Sequence, residues 1–115
     1  MAQEATEQRI KLTLRSVGLM LDELGDRAAD WHEESRPEQA AFSIDWDNSV
    51  VGDLKDLLAW RNRGDLNTSQ KVELDRLLER LSAVKDQAHR MGLWWPNWLE
   101  EEVQSHREQA ATAAR

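Results

Sequence analysis

The sequence contains no cysteine and no tyrosine, and only two prolines and one phenylalanine. Without cysteine the chain can form neither a disulfide framework nor a thiolate active site, which fits a cytoplasmic protein. Its first residues are acidic and lack the apolar stretch of a secretory signal. No apolar run approaches the roughly 18 residues that a membrane-spanning helix needs. We therefore expect a cytoplasmic protein with no membrane association.

The common catalytic signatures are also missing from the sequence. Its five glycines are dispersed, so there is no glycine-rich loop to bind a phosphate, and no nucleophile stands near an evident base. We therefore expect no cofactor. The formal net charge of −7 opposes binding to nucleic acid or to an anionic membrane, because both require a basic surface. It suits a basic partner, or it simply keeps the protein soluble.

What is present is the composition of a folded helical protein. The chain has 115 residues, of which 40% are hydrophobic and 32% are charged. That length predicts one domain, residues 1–115, with a single modest core. There is no internal repeat and no low-complexity linker.

The clearest helix lies between Asn67 and Gly92. Apolar residues follow one another there at alternating spacings of three and four, which places them along one side of a helix: Leu74, Leu77, Leu81, Val84, Ala88 and Met91. Asn67 and Gln70 have the spacing of a capping box at its start. Gly92 and Pro96 are expected to end it.

A first long helix is predicted over about residues 5–34. Its apolar stripe has the same alternating spacing: Ile10, Leu14, Val17, Leu21, Leu24, Ala28 and Trp31. Leu12, Leu19 and Met20 lie outside this stripe and widen the apolar surface. An unpartnered apolar surface on a helix favours self-association, so we predict a homodimer through the first helix.

The segment between these two helices predicts a connector and a second helix. Ser35 followed by Pro37 indicates a stop and a restart of helical structure. Residues 42–46 alternate apolar and polar side chains, which is the period of extended chain. Asp47 is a candidate cap for a helix that runs to about Arg63, and Gly64 is expected to end that helix.

A last helix is predicted after Pro96. Its inner side thins to alanine, so we expect the tail from about residue 110 to residue 115 to fray. The predicted fold is therefore all-α. We expect an up-and-down bundle of three to four helices, with an extended connector between the first and the second.

Six tryptophans beside one phenylalanine are an unusual balance. In an up-and-down bundle five of them fall at one end of the molecule, which we call the tryptophan-rich end: Trp31, Trp46, Trp94, Trp95 and Trp98. Carboxylates accompany them there, including Asp30, Glu33, Glu100 and Glu101. The rings can form an aromatic core that closes the bundle. Alternatively Trp94, Trp95 and Trp98 point outward as binding residues, because tryptophan is enriched at binding hot spots.

Metal chemistry is suggested by two fragments, neither of them complete. His89 and His106 are expected at heights about 10 Å apart along their helices. Since zinc needs ligand atoms at about 2 Å, these residues and His32 cannot easily share one ion. Asp86 and His89 resemble the Glu-x-x-His pair of di-iron bundles, but the other helices offer no inward carboxylates to complete that site. We predict no metal ligands.

Two acidic pairs on the first helix give an alternative function. Glu4-x-x-Glu7 and Glu23-x-x-Asp26 resemble the paired acidic motifs with which all-α nucleotide pyrophosphohydrolases bind magnesium. The resemblance implies a metal-dependent hydrolase that uses carboxylates of the first helix. However, both pairs fall on one predicted helix, some 24 Å apart at about 1.5 Å per residue. A shared ion would need them on facing helices or on two copies of the chain.

The interpretation that we favour is a non-enzymatic protein–protein interaction module. It binds a basic partner through the tryptophan-rich end, as an inhibitor, an immunity-like protein or an assembly accessory. The predicted partner-binding residues are Trp94, Trp95, Trp98, Trp31, Trp46, Asp30, Glu33, Glu100 and Glu101.

Overall fold

In the computed structural model, which describes residues 6–113, the chain is helical and contains no strand between those limits. The α-helices are α1 (Glu7–Ala28), α2 (Arg36–Trp46), α3 (Asp53–Asn62), α4 (Thr68–Arg90) and α5 (Asn97–Ala113). A 3₁₀ turn, Trp31–Glu33, follows α1, and a π-helical segment, Asp47–Gly52, joins α2 to α3. The all-α prediction is confirmed. No helix of the described residues is long and apolar enough to cross a membrane.

Side-chain caps define where three of the helices begin. Thr6 accepts a hydrogen bond from the Arg9 amide at the start of α1, at 3.1 Å. The predicted capping box of α4 is confirmed, because Asn67 accepts from the Gln70 amide at 2.8 Å and Gln70 accepts from the Asn67 amide at 2.9 Å. At the start of α2, the Ser35 side chain accepts a hydrogen bond from the Glu38 amide at 3.3 Å. Each cap satisfies amides that have no partner within the helix.

Two glycines end helices where the sequence predicts a stop. Gly64 follows α3 with φ of 80°, and Gly92 follows α4 with φ of 72°. A residue with a Cβ rarely adopts this left-handed backbone, so glycine is the natural residue after a helix that ends this way. The amide of Leu93 donates back to the Ala88 carbonyl at 3.0 Å, which closes the last turn of α4.

The predicted extended connector is wrong. Residues 42–46 belong to α2, and Asp47 continues the helix instead of capping a new one. Phe42 and Trp46 are both buried, one helical turn apart, whereas Ile44 between them is 59% exposed. The apolar and polar alternation of these residues therefore arises from two buried rings and one outward isoleucine. It does not reflect the period of extended chain.

The π-helical segment has a clear cause in the spacing of the buried residues. Phe42, Trp46, Val50 and Leu54 lie four residues apart, and each is at most 2% exposed. In a regular α-helix, steps of four drift about 40° around the axis each time, because one turn holds 3.6 residues. The wider turn of a π-helix compensates for that drift. It keeps Val50 and Leu54 on the same side as the two rings.

The ends of the first and last helices also differ from expectation. α1 ends at Ala28, six residues before the predicted end, and Trp31 lies in the 3₁₀ turn that follows. At the other terminus α5 continues to Ala113. Residues 114–115, part of the predicted frayed tail, lie outside the described residues.

One core is built from all five helices. α1 contacts α3, α4 and the π-helical segment, and α5 packs against α4. Leucines supply most of the buried side chains, and the buried aromatic rings are Trp31, Phe42, Trp46 and Trp60. Met20 is also buried, but Leu12 and Leu19 on the same helix are 53% and 56% exposed. The second apolar surface predicted for α1 is therefore reduced to two exposed leucines.

Candidate functional site

Three of the predicted site residues form a tryptophan cluster between α2 and the loop that precedes α5. The Trp46 ring is fully buried, and its Nε1 donates a hydrogen bond of 2.8 Å to the carbonyl oxygen of Trp94. The same ring stacks on Trp95, with centroids 6.5 Å apart and planes 21° apart. One buried indole thus holds two consecutive residues of the loop.

Polar contacts fix the other side of Trp95. Its Nε1 donates to Glu100 at 3.0 Å, and the second carboxylate oxygen of Glu100 accepts from Lys85 at 2.6 Å. The hydrogen bond from Lys85 lowers the pKa of Glu100 more than desolvation raises it, and the hydrogen bond from Trp95 lowers it further. The His89 ring lies 5.6 Å from the Trp95 ring. The loop is therefore tied to both α4 and α5.

Trp94 is the exposed member of the cluster. Its side chain is 54% exposed, although its carbonyl is held by a buried donor. The neighbouring Trp95 is half-buried, and so is Trp98 in the first turn of α5, where it packs against the core. The structure therefore fixes the backbone of Trp94 and leaves its ring in contact with solvent.

Trp31 belongs to a second aromatic contact, made with Phe42. The two rings meet edge to face with centroids 5.7 Å apart, and Trp31 is only 5% exposed. Arg27 lies over the Phe42 ring at 5.1 Å and forms ion pairs with Glu23 and Glu34. Trp31 and Trp46 are thus core residues with almost no surface for a direct contact to a partner.

The predicted acidic site residues lie in different environments. Asp30, Glu33 and Glu101 are exposed, whereas Glu100 is partly covered and paired as described above. Asp30 also borders a shallow acidic depression around Arg27, together with Glu23, Asp26, Glu34 and Glu38. Asp30 and Glu33 are therefore solvated carboxylates next to the buried Trp31 in the sequence, and Glu101 is a solvated carboxylate next to the paired Glu100.

The candidate metal fragments are not assembled in the described part of the chain. Within residues 6–113 no three histidine, aspartate or glutamate side chains are grouped so that they could hold an ion. Glu23 is paired with Arg27 at 2.9 Å, and Glu7 lies at the opposite end of α1. Glu4 lies outside the described residues.

One surface feature was missed by the sequence interpretation, namely a groove between α1 and α4. Its floor is apolar, and Lys11, Arg15, Arg76 and Arg80 border it. In the sequence these are two basic pairs, each with a spacing of four residues, on two separate helices. This spacing shows that the two cations of each pair share one face of their helix. Only the packing of α1 on α4 shows that the two basic faces adjoin.

Comparisons of the chain with protein-family models, with curated proteins and with solved structures found no match. The function is therefore inferred from the geometry of the described residues.

Proposed function

We propose that the protein is a non-enzymatic protein–protein interaction module that binds a basic partner through its tryptophan-rich end. The observation that supports this most is the exposed ring of Trp94 on a loop whose backbone is held by the buried Trp46. A large aromatic ring in solvent has a hydrophobic cost that binding would remove. Tryptophan is also among the residues most enriched at binding hot spots.

The rigidity of this loop strengthens the proposal. The hydrogen bond from Trp46, the stacked Trp95 and the contact of Trp95 with Glu100 each restrict the chain on either side of the exposed ring. A binding residue that is already ordered loses little conformational entropy when the partner arrives.

Charge determines the kind of partner that we propose. Glu101 is exposed in the first turn of α5, and Asp30 and Glu33 are exposed beside Trp31. Exposed carboxylates around an aromatic binding residue attract a basic surface and repel an acidic one. Because these charges are solvated, they act mainly on association rate and specificity, and Trp94 supplies most of the affinity.

The proposal includes an up-and-down order of the helices, which would bring Trp31 and the loop of Trp94 to one end. Contacts between α1 and α3 support opposite directions, since Arg9 lies over Trp60 while Ser16 lies close to Asp53. Early residues of α1 thus meet late residues of α3. Likewise Lys85 contacts Glu100 on α5, and the earlier Ser82 contacts the later Arg107.

We retain three related proposals with less support. A homodimer through α1 would rest on the exposed Leu12 and Leu19, and sedimentation velocity would measure it. A cytoplasmic location rests on composition alone. Whether the module acts as an inhibitor, an immunity-like protein or an assembly accessory depends on the partner's identity. The metal-dependent hydrolase remains the alternative, and no contact of Glu23 or Asp26 favours it.

Affinity capture with matched variants tests the main proposal. The full chain is immobilised, and bound proteins are identified by mass spectrometry for the wild type, Trp94→Ala and Val72→Ala. Val72 is the control because it is also an exposed apolar side chain, at 44%, but lies at the start of α4. We expect a basic protein to bind the wild type and the Val72 variant and to be lost with Trp94→Ala.

Circular dichroism of each variant separates lost binding from lost folding. Capture that survives in a folded Trp94→Ala variant would contradict the proposal. So would a set of captured partners that are uniformly acidic.

A further inference from the structure

The α1–α4 groove is a depression with a largely apolar floor. It is an open groove of about 480 Å³ whose floor is formed by Leu14, Gly18 and Leu77. Leu19 lines one wall and is 56% exposed, so apolar surface in the groove is left in contact with water. An occupant with an apolar side would bury that surface and gain the corresponding hydrophobic free energy.

The rim of the groove carries a net positive charge in an otherwise acidic protein. Its two carboxylates are Asp22 and Glu73, and its cations are four. Lys11 and Arg15 lie on the α1 side, and Arg76 and Arg80 lie on the α4 side. Arg80 is paired with Asp22 at 2.5 Å. In the described part of the chain no ion pair engages the other three cations. The whole chain carries 22 acidic and 15 basic residues, so this concentration of cations opposes the overall charge.

Gly18 keeps the middle of the floor open. A Cβ built at this position would lie 3.8 Å from both Leu77 and Arg80, which is ordinary van der Waals contact. Packing of α1 on α4 therefore does not require a glycine here, even though glycine weakens a helix. Its absent side chain leaves space in the groove that a side chain from an occupant can fill.

We propose that the α1–α4 groove binds an acidic amphipathic helix of another protein. The lining residues extend from Lys11 to Asp22, which corresponds to about 16 Å along α1 and so to about three turns of a bound helix. Apolar residues of that helix would lie over Leu14, Gly18 and Leu77. Its acidic residues would meet the cations on both rims, as in other complexes where a helix lies in a groove.

The charge pattern favours this occupant over a second copy of the chain. In a two-fold dimer the same patch lies on both subunits, so the rim cations of one groove would face those of the other. Like charges brought together in this way weaken an interface. Nucleic acid also fits less well, because the floor is apolar and the net charge of the chain is −7. The groove and the tryptophan-rich end would therefore recognise partners of opposite charge.

Fluorescence anisotropy with a synthetic helical peptide tests this inference on the full-length protein. The probe is a labelled, end-capped peptide of about 14 residues, long enough for three to four turns, with leucine along one stripe and glutamate elsewhere. The control peptide has lysine in place of each glutamate. We expect the acidic peptide to bind, the basic one not to bind, and added salt to weaken the binding.

Two variants, each compared with a matched control, locate the site. Arg15→Glu combined with Arg76→Glu is expected to weaken peptide binding at least about tenfold, while Lys55→Glu on the exposed side of α3 leaves it unchanged. Gly18→Leu fills the floor and is expected to block binding. Gly25→Leu is its matched control, since it lies on the same helix and a Cβ there has no neighbour within 4 Å.

Each other outcome overturns the inference. Absence of binding by the acidic peptide, or equal binding after the two charge reversals in a folded protein, removes the groove as its site. A dimer that Gly18→Leu dissociates would assign the groove to a second copy. An oligonucleotide that competes with the peptide at equal affinity would assign it to nucleic acid. Trp94→Ala must leave peptide binding intact, so this test fails or succeeds independently of the function proposed above.

Discussion

Trp46 and Trp94 are the same residue type joined by one hydrogen bond, yet they occupy opposite environments. The Trp46 ring has no exposed surface, and the Trp94 ring is 54% exposed. The bond uses the side chain of the first and only the backbone of the second. Burying one indole thus fixes the position of the other without burying it. The difference in burial indicates that Trp46 stabilises the fold and that the Trp94 ring is accessible to a partner.

The largest expected effect comes from removing the buried ring. Trp46→Ala deletes a core side chain, its stack with Trp95 and its hydrogen bond to Trp94, so we expect a loss of about 3–5 kcal/mol in the free energy of unfolding. Chemical denaturation measures it. A loss below about 1 kcal/mol is in the range of ordinary surface substitutions. It would show that the Trp46 ring does not stabilise the fold more than an exposed ring does.

A smaller effect is expected from replacing the Trp46 indole with a smaller aromatic ring that has no N–H. Trp46→Phe keeps an aromatic ring but leaves the Trp94 carbonyl without its donor, so we expect a loss of about 1–2 kcal/mol. Amide hydrogen exchange should also become faster in residues 93–96, because the loop loses one of its attachments. If exchange there is unchanged, the hydrogen bond does not hold the loop.

The ion pair of Glu100 predicts a pH dependence of stability. Lys85 and Trp95 lower the pKa of Glu100 in the folded protein, so the carboxylate stabilises the fold above its unfolded pKa, ordinarily about 4.3. This contribution is lost as the pH falls through the lower, folded pKa. Because the pair is partly exposed, we expect less than about 1 kcal/mol.

The Glu100→Gln variant isolates that contribution. It is expected to be less stable than the wild type at pH 7 and to approach the wild type in acid, as followed by urea denaturation at each pH. A constant difference between the two proteins across this pH range would contradict the assignment. Glu101→Gln is the matched control, since Glu101 is exposed and adjacent.

The smallest expected effect on stability comes from Trp94→Ala. Its ring is mostly outside the core, so we expect a change within about 0.5 kcal/mol in the free energy of unfolding. Thermal and chemical denaturation both measure it. If Trp94→Ala destabilises the protein as much as Trp46→Ala, both rings are structural, and the proposal that Trp94 is a binding residue is contradicted.

Local signals in the sequence were sufficient to predict several helix ends. Asn67 with Gln70, Gly64 and Gly92 act through their own backbone neighbourhood, so their meaning does not depend on distant parts of the chain. The stripe of α4 was predictable for the same reason, since a period close to 3.6 residues is visible in one segment.

The environment of each tryptophan was not predictable in this way. Whether Trp46 is buried depends on the residues that cover it, such as Trp95, which lies 49 positions further along the chain. Residues 42–46 were misassigned because a helix with one outward isoleucine and an alternating strand give the same short pattern. The groove between α1 and α4 likewise exists only once the two helices pack together.

The π-helical segment has a consequence for how the chain can change. Removing one residue from Asp47–Gly52 would favour an ordinary α-helix there, and α3 would then turn by about 100° relative to Phe42 and Trp46. Either the two rings or the leucines of α3 would have to leave the core. The continuous helical stretch of residues 36–62 therefore cannot lose one residue within the π-helical segment. Its length is fixed because the rings of α2 and the leucines of α3 must both face the core.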